Sequence, residues 1–372
     1  MLGLYVHIPF CTSICNYCNF NRGLYDESLK TRYVAALLQE IERAPCHQPA
    51  DTLFFGGGTP SLLDPGDVEA IIRACRVVHR LEPSAEVTLE TNPESVDEAK
   101  LDAFRTAGVN RLSFGVQSFD DRELVRLGRI HTAARAAGAM RAARSAGFAN
   151  VSLDLMMWLP GQQVTDWLAN IERLIETNPD HASLYLLELY PNAPLKEDMA
   201  RAGWSLAPDE DAAEMYLRAM ERLEAAGFLQ YEISNVARDG FAARHNLKYW
   251  TDGEWLGFGC GAHSTVDGVR WKNVSATEDY IARVTAGDPP GVERRLLTAD
   301  ERLEDALFTG LRLTAGIDID AVGARYICDV WQRYGQALDP FLEEGWLVHE
   351  GSRLRLTRAG MLMANEVMAV FV

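Results

Sequence analysis

The sequence has little positive charge, and it has no long apolar run. Thirty-six lysines and arginines stand against 53 aspartates and glutamates, so the formal net charge is −17. Binding to nucleic acid or to an anionic membrane surface needs a cationic face, and this balance argues against both. No stretch approaches the roughly 18–20 apolar residues of a membrane span. The first residues, MLGLYVHIPF, lack the basic segment of a secretory signal. We therefore predict a cytoplasmic protein with no nucleic-acid partner and at most a weak association with membrane proteins.

Paired cysteines are also lacking. Four of the seven cysteines are isolated along the chain, namely Cys46, Cys75, Cys260 and Cys328. An odd and dispersed set is a poor framework for disulfides, and a reducing compartment keeps such thiols free. We therefore expect these four side chains to be free thiols.

The other three cysteines are close together. Cys11, Cys15 and Cys18 form a C-x3-C-x2-C cluster directly after the first predicted strand. Structural zinc usually takes four ligands, commonly from two separated C-x2-C pairs, and the sequence has no second pair. Three thiolates can instead hold a [4Fe–4S] cube that leaves one iron open to a further ligand. The spacing therefore favours an iron–sulfur centre, and a zinc-stabilised module is kept as a control hypothesis.

The first part of the chain alternates short β-rich runs with helical patterns. Repeated βα units predict a parallel sheet, which closes into a barrel or stays open. Polar residues stand at the ends of nearly all these runs, and barrel enzymes place their sites at that end of the strands. We therefore predict an α/β fold with a partial (β/α)6 barrel of the TIM type over residues 1–237. Its six strands are predicted at 4–9, 52–58, 85–93, 111–118, 150–160 and 182–190.

The remainder of the chain changes character. Residues 238–292 are rich in glycine, tryptophan and histidine and lack the βα rhythm, so we predict a connecting segment there. Residues 293–372 read as helices followed by a β-hairpin around Gly351, which suggests a winged-helix-like α+β module. Because the chain is so acidic, we favour a cap on the barrel over a DNA-binding role for this module.

The motif CTSICNYC after a first barrel strand resembles that of the radical S-adenosylmethionine (SAM) superfamily. In that superfamily the open iron is chelated by the amino and carboxylate groups of SAM, and one electron from the reduced cluster cleaves the sulfonium to a 5′-deoxyadenosyl radical. The resemblance implies a [4Fe–4S] cluster on the three cysteines, bound SAM and an external electron donor. It also implies a dry pocket that orients the sulfonium.

The resemblance also assigns residues to the SAM site. An arginine suits the SAM carboxylate, and acidic side chains suit ribose hydroxyls or the ammonium group. Glycines let backbone groups approach a ligand without interference from a Cβ atom. The residues implied to hold SAM or to stand beside the cluster are Tyr5, Tyr17, Gly57, Gly58, Thr59, Glu90, Gln117, Arg129 and Asp154.

The opening YVHIPFC narrows the resemblance to the branch of oxygen-independent coproporphyrinogen oxidases. Three later segments, YEISNVARDG, HNLKYW and WLGFGCGAHS, resemble the HemW group of heme chaperones within that branch. The true decarboxylase carries another cysteine two positions after its third cluster ligand, where this chain has Phe20. The decarboxylase also has a long N-terminal extension, whereas this sequence starts six residues before His7. We therefore expect no decarboxylation of coproporphyrinogen.

The segment HNLKYW resembles the HNxxYW motif of the chaperones, which implies heme contact by His245, Asn246, Tyr249 and Trp250. Imidazole is a natural axial ligand of heme iron, and aromatic rings stack well on a flat macrocycle. The alternative is that this segment packs the barrel against the C-terminal module. His263 is a second candidate ligand, and its alternative is a hydrogen-bonded core histidine.

The chain departs from the group at four positions, Met157, Trp158, Leu186 and Tyr190. The first two replace Tyr-Gly, and the last two replace polar Gln and Glu. We expect these side chains to face the barrel interior or the mouth of the site and to alter the space for SAM or a substrate.

Two functions follow from the resemblance. The first is a heme chaperone that hands heme to an acceptor protein and keeps a [4Fe–4S]–SAM site. The second is a radical SAM enzyme, either a methyltransferase or a porphyrinogen oxidase.

Overall fold

The computed structural model describes residues 1–45, 48–191 and 193–372. Cys46, one of the four isolated cysteines, lies outside the described residues. Cys75, Cys260 and Cys328 are free thiols, as expected. No helix in the described part of the chain is long and apolar enough to span a membrane.

The described residues form seventeen strands and fifteen α-helices. The strands are β1 (Leu2–Ile8), β2 (Phe10–Cys11), β3 (Gly23–Leu24), β4 (Ala50–Gly57), β5 (Glu86–Thr91), β6 (Arg111–Gln117), β7 (Val151–Met157), β8 (His181–Leu186), β9 (Leu229–Glu232), β10 (Asn235–Ala237), β11 (Trp255–Phe258), β12 (His263–Val266), β13 (Val269–Asn273), β14 (Gly291–Leu296), β15 (Ile317–Asp318), β16 (Leu347–Glu350) and β17 (Arg353–Leu356). The helices are α1 (Glu27–Arg43), α2 (Pro65–Val78), α3 (Glu98–Ala107), α4 (Asp121–Arg126), α5 (Ala133–Ser145), α6 (Val164–Thr177), α7 (Pro194–Ala202), α8 (Asp209–Ala225), α9 (Arg244–Trp250), α10 (Thr277–Ala286), α11 (Ala299–Gly310), α12 (Ile319–Tyr326), α13 (Val330–Glu343), α14 (Arg358–Leu362) and α15 (Ala364–Met368).

One twelve-stranded sheet dominates the fold. Its order is β14-β13-β12-β11-β1-β4-β5-β6-β7-β8-β10-β9. Strands β1, β4, β5, β6, β7 and β8 pair in parallel. Beyond them the sheet continues through β11 on one side and β10 on the other, so the six parallel strands do not close on each other. This arrangement confirms the predicted partial (β/α)6 barrel.

The alternation along β1 explains how the barrel separates its two faces. Leu2, Leu4, Val6 and Ile8 are fully buried in the hydrophobic core, which stabilises the fold by about 1.5–3 kcal/mol for each large side chain. The intervening residues face the barrel interior. The parallel strands consequently deliver polar side chains to the interior and to their carboxyl ends.

The run YEISNVA, which follows the last barrel helix, is part of a hairpin. Strands β9 and β10 pair antiparallel, and β10 also pairs with β8. The backbone N–H of Ser234 donates to the Glu232 carboxylate at 2.9 Å, which holds the tight turn between the strands. The hairpin therefore forms one edge of the sheet.

Residues 238–292, predicted as a connecting segment, also contribute strands to the barrel sheet. Within them β11 pairs in parallel with β1, and β12 and β13 follow antiparallel, so this segment extends the barrel sheet. We name β11–β14 the sheet extension. The boundaries of the three predicted units stay a prediction.

The C-terminal module consists of helices α11–α15 and a small three-stranded sheet. The predicted hairpin is present as β16 and β17, and β15 adds the third strand. Arg312 joins the module to the barrel, because its guanidinium lies 2.9 Å from the carboxylate of fully buried Glu232. The module thus packs against the open side of the barrel.

Candidate functional site

A cavity of about 560 Å³ lies at the carboxyl ends of the parallel strands. Its walls come from the loops that follow β1, β4, β5, β6, β7 and β8. The sequence-predicted residues that line it are Cys11, Cys15, Cys18, Tyr17, Gly57, Gly58, Thr59, Glu90, Gln117, Arg129 and Asp154. The fold therefore brings to one place side chains that are up to about 140 residues apart in sequence.

The three cysteines lie on one loop at the mouth of this cavity. Pairing of β2 with β3 closes the loop, and the backbone N–H of Cys18 donates to the Cys15 carbonyl at 3.2 Å. Burial raises the pKa of the Cys11 and Cys18 thiols. No group of three His, Cys, Asp or Glu side chains in the described part of the chain could hold a single metal ion. The arrangement is compatible with a cluster, in which each thiolate binds a different iron.

The loop after β4 approaches the cysteines closely because it lacks side chains. A Cβ atom at Gly58 would lie 2.9 Å from Cys11 Sγ and 2.7 Å from the Phe10 carbonyl oxygen. Gly57 has a φ of 117°, a conformation that favours glycine. Its backbone N–H donates to the Glu90 carboxylate at 3.1 Å. This loop therefore requires glycine at both positions.

A chain of hydrogen bonds links two of the cysteines across four strand ends. The Thr59 hydroxyl donates to Cys11 Sγ at 3.6 Å, and Asn92 Nδ2 donates to the Thr59 hydroxyl at 3.0 Å. Arg129 Nη2 donates to Asn92 Oδ1 at 2.9 Å, and Arg129 Nη1 donates to Cys15 Sγ at 3.4 Å. The Arg129 cation is thereby fixed at the wall of the cavity, in contact with Cys15 Sγ.

Two partly buried acids, Glu90 and Asp154, face the cavity, and the charge of buried Arg111 acts on both without a direct ion pair within the described residues. Neither Glu90 nor Asp154 makes a salt bridge within the described residues. Burial, together with the charge of Asp154, raises the pKa of Glu90 to about 8. Burial also raises the pKa of Asp154, whose carboxylate accepts from the Ser113 hydroxyl at 3.0 Å. A cationic ligand in the cavity would add positive charge beside both acids and favour their ionised forms.

Comparisons with known proteins agree with this site. Residues 5–174 match the radical SAM superfamily, and residues 297–363 match the HemN C-terminal domain. The heme chaperone HemW of Bacillus subtilis is 36% identical, over 100% of this chain and 99% of that protein. The chain belongs to the HemW family of radical SAM proteins. The radical S-adenosyl methionine domain-containing protein 1, mitochondrial, of Bos taurus is 40% identical over 85% of this chain and 74% of its own length.

The solved structures contain a similar fold. The coproporphyrinogen III oxidase HemN from Escherichia coli superposes with a TM-score of 0.88 over 100% of this chain and 89% of that chain. Its sequence identity is 24%, so this likeness concerns the fold alone. Both the partial barrel and the C-terminal module are shared.

Membership of the radical SAM superfamily implies a [4Fe–4S] cluster and SAM, and the cavity fits both groups. The Cys11, Cys15 and Cys18 thiols line the cavity and would serve as the three iron ligands. The unpaired acids Glu90 and Asp154 suit a ligand that carries a sulfonium and an ammonium, and Arg129 suits its carboxylate. When bound, the cluster and SAM supply one-electron cleavage of the sulfonium.

The structure places Tyr5 away from the lining of this cavity. Its hydroxyl lies 3.1 Å from His7 Nδ1, and its ring stacks on Phe54 with centroids 6.2 Å apart. The residue stands in the barrel interior, below the glycine loop. The placement of Tyr5 beside the cluster stays a prediction.

The four departures separate into two pairs. Leu186 and Tyr190 line the mouth of the cavity, as expected, and both are partly exposed. Met157 is buried in the core, and the Trp158 indole donates to the Ala207 carbonyl at 2.8 Å. Neither is part of the described cavity lining. The expectation that Trp158 fills the site is therefore corrected, because its φ of 62° turns the chain and directs the ring to a neighbouring loop.

The segment HNLKYW does not lie at the mouth of the cluster cavity. It forms helix α9 at the amino ends of the strands: His245 Nδ1 lies 2.9 Å from the hydroxyl of Thr52 in β4, and its backbone N–H donates to Glu86 at the start of β5. His245 Nε2 lies 3.0 Å from the Tyr249 hydroxyl. Burial lowers the pKa of His245 to about 3. Both ring nitrogens are engaged, so an axial role for His245 would require these hydrogen bonds to break.

Trp250, at the end of that segment, contacts the C-terminal module. The Arg312 guanidinium lies 4.4 Å from the centre of the Trp250 ring, and α9 packs on α11. This part of the segment therefore has the packing role that we considered as the alternative. Heme contact by His245, Asn246, Tyr249 and Trp250 stays a prediction.

Sequence reasoning gave no site role to Asn92 or Ser113. Asn92 joins Thr59 to Arg129, and Ser113 holds Asp154. A signal for Ser113 was available, because side chains alternate along a strand and Ser113 stands on the same face of β6 as Gln117. Asn92 comes directly after β5, the strand that contains Glu90, so its place at a strand end could also be predicted from the sequence.

Proposed function

We propose that this protein is a heme chaperone: it binds heme and hands it to an acceptor protein, and it keeps a [4Fe–4S] cluster and SAM in its barrel. The observation that carries the proposal is the alignment with the heme chaperone HemW of Bacillus subtilis over 100% of this chain and 99% of that protein. An alignment of that extent includes the barrel, the sheet extension and the C-terminal module.

The chain's own residues support the part of this proposal that concerns the cluster and SAM. In the cavity, the three thiols would bind the cluster, Arg129 would orient the carboxylate of SAM, and Glu90 would pair with its cationic part. The acceptor protein and an electron donor for the cluster complete the proposed set of partners. The free thiols of Cys75, Cys260 and Cys328 support a location in the reducing cytoplasm. The acidic composition gives no support to nucleic-acid binding.

The test is an anaerobic transfer experiment with the full chain. The protein is reconstituted with iron and sulfide, loaded with heme, and mixed with a heme-free hemoprotein in the presence of SAM and a reductant. We expect uptake of heme in a stoichiometric amount, transfer to the acceptor, and unmodified heme by mass spectrometry. Methylated product together with S-adenosylhomocysteine and 5′-deoxyadenosine would instead establish a radical SAM enzyme. Zinc in place of iron and sulfide would support the control hypothesis.

A further inference from the structure

A second cavity of about 600 Å³ lies between the sheet extension and the C-terminal module. We name it the extension groove. Trp255 of β11, His263 of β12 and Phe308 of α11 line it, and Tyr249 at the end of α9 forms part of its wall. The extension groove has no lining residue in common with the cluster cavity among the described residues. It is therefore a separate place for a ligand.

Aromatic rings give the extension groove an apolar wall. The rings of Tyr249 and Trp255 meet edge to face, with centroids 4.9 Å apart and planes at 79°. Phe308 stands on the opposite element and is only partly buried. A wall of this kind suits a flat, largely apolar ligand, because ring faces and edges pack favourably against a planar π system.

Unlike His245, His263 has an imidazole that a ligand can reach. Its side chain is exposed, and neither ring nitrogen has a hydrogen-bond partner within the described residues. Burial and the nearby Lys272 lower the pKa of His263, so the imidazole is neutral at pH 7, the form that ligates iron. His245, in contrast, is buried with both nitrogens engaged. The accessible imidazole of this region is that of His263.

The groove also carries one cation without an acidic partner. Arg270 and Arg325 are paired with Asp305 and Asp252, at 2.7 Å and 2.5 Å. Arg302 makes no salt bridge within the described residues, and its guanidinium stands 5.5 Å from the centre of the Tyr326 ring. An exposed guanidinium at the edge of an aromatic groove is suited to a carboxylate of the ligand.

We infer that the extension groove is the heme site of this protein, with His263 as the axial ligand of the iron and Arg302 as the partner of a propionate. This inference rests on the proposed function. It gives His245 the role of a positioning residue, because the contact between His245 Nε2 and the Tyr249 hydroxyl at 3.0 Å fixes one wall of the groove. The HNxxYW motif then supports the heme site through Tyr249.

The first experiment is an anaerobic titration of the reconstituted full-length protein with hemin, followed by absorption spectroscopy. We expect one heme per chain with a histidine-ligated spectrum. His263→Ala should lose that spectrum and about tenfold or more of the affinity, and free imidazole should restore the spectrum. His245→Ala should keep the spectrum and weaken affinity only. His349→Ala, on β16 outside the groove, is the matched control and should bind heme as the parent does.

The outcomes separate the two proposals. If the parent protein binds no heme, the proposed function fails. If the parent binds heme and His263→Ala binds it with the same spectrum and affinity, the extension groove is not the site, although the proposed function stands. Equal circular dichroism and iron content in all variants establish that folding and the cluster are intact.

The second experiment tests the role of Arg302 by comparing the affinity for heme with the affinity for heme dimethyl ester. The parent protein should bind heme more tightly than the ester, whereas Arg302→Ala should bind the two alike. Arg122→Ala, an exposed arginine on the barrel, is the control and should keep the preference for heme. An Arg302→Ala variant that keeps this preference would contradict the assignment of Arg302.

Discussion

At the scale of the residue, the site depends on positions where other residue types could not make the same contacts. Gly58 has no room for a Cβ atom beside Cys11 Sγ. Arg129 reaches Asn92 and Cys15 with two different guanidinium nitrogens, a geometry that lysine cannot reproduce. Glu90 is a partly buried acid without a salt bridge in the described residues. Gly58, Arg129 and Glu90 all line the cluster cavity, where a bound ligand would contact them.

Replacement of Cys11, Cys15 and Cys18 together by alanine should leave the reconstituted protein without its brown chromophore and with almost no iron. Each thiolate supplies one bond to a different iron of the cluster, so the cube has no other anchor. Iron and sulfide analysis of the reconstituted variant measures this. Cys328→Ala is the control, because Cys328 is a free thiol outside the cluster cavity. Loss of the chromophore in a Cys260→Ala variant would contradict the assignment.

Replacement of Arg129 by alanine should weaken SAM binding. Removal of one charged partner from a desolvated site costs about 2–5 kcal/mol of affinity, or roughly thirty-fold and more. Calorimetric titration of the reconstituted protein with SAM measures the effect. Arg129→Lys should recover only part of the affinity, because it keeps the charge and loses the fork, and exposed Arg122→Ala should change nothing. An unchanged affinity in Arg129→Ala would place SAM elsewhere.

At the scale of the element, the site is built where strand ends converge and where helices join the extended sheet. The register between β6 and β7 shifts after Gly115, and Gln117 takes a φ of 68° at the end of β6, next to the cavity. Helix α1 is joined to the sheet extension through buried Glu40. The Glu40 carboxylate accepts from the Gly259 N–H at 2.8 Å and from Asn273 Nδ2 at 2.7 Å. The carboxylate has no cationic partner in the described residues.

The junction at Glu40 should lose stability as the pH rises from 5 to 8. Burial raises the pKa of Glu40 to about 7 in the folded protein. The folded state therefore binds the proton more tightly than the unfolded state. The resulting stabilisation is complete below the unfolded pKa and is lost as the pH rises through the folded pKa, by about 2 kcal/mol over this range.

Denaturant unfolding of the parent protein and of Glu40→Gln at several pH values measures this loss. The free energy of unfolding of Glu40→Gln should fall less between pH 5 and 8 than that of the parent. Glu90, whose pKa is also raised, should leave some pH dependence in both proteins. Identical slopes for the two proteins would contradict the prediction.

At the scale of the whole molecule, the fold by itself does not decide the reaction. The chain superposes on the coproporphyrinogen III oxidase HemN from Escherichia coli with a TM-score of 0.88, at 24% identity. At the position where the resemblance implies another cysteine in the decarboxylases, this chain has Phe20, which is 69% exposed at the cluster cavity. The molecule also has two large cavities with separate linings, which suits binding of heme apart from the SAM site.

We expect no conversion of coproporphyrinogen III to protoporphyrinogen. The resemblance to the decarboxylases assigns them another cysteine at the position that Phe20 occupies here, and a phenyl ring has no thiol. An anaerobic assay with SAM and a strong reductant, with porphyrin analysis by chromatography, measures this. Iron and sulfide analysis of the same sample controls for a missing cluster. Multiple turnovers of coproporphyrinogen would overturn the chaperone proposal.

Features that depend only on neighbouring residues could be predicted from the sequence. The spacing of Cys11, Cys15 and Cys18, the glycine loop and the alternating βα pattern are local, and local patterns persist in the folded chain. The parallel topology then brings strand ends together, because all six strands point the same way. The resemblance then added Glu90 and Asp154, which do line the cluster cavity, whereas Asn92 and Ser113 of the same cavity were not predicted.

Only the tertiary structure decided the features that depend on packing between distant segments. His245 meets Thr52 across 193 residues of sequence, and this contact engages one nitrogen that the motif offered to heme. The direction of the Trp158 ring follows from its positive φ, which no sequence pattern predicts. The availability of His263 follows from the packing of the sheet extension against the C-terminal module. A side chain's type fixes what it can bind, whereas burial and competing partners, which the fold alone sets, decide whether it is free to bind.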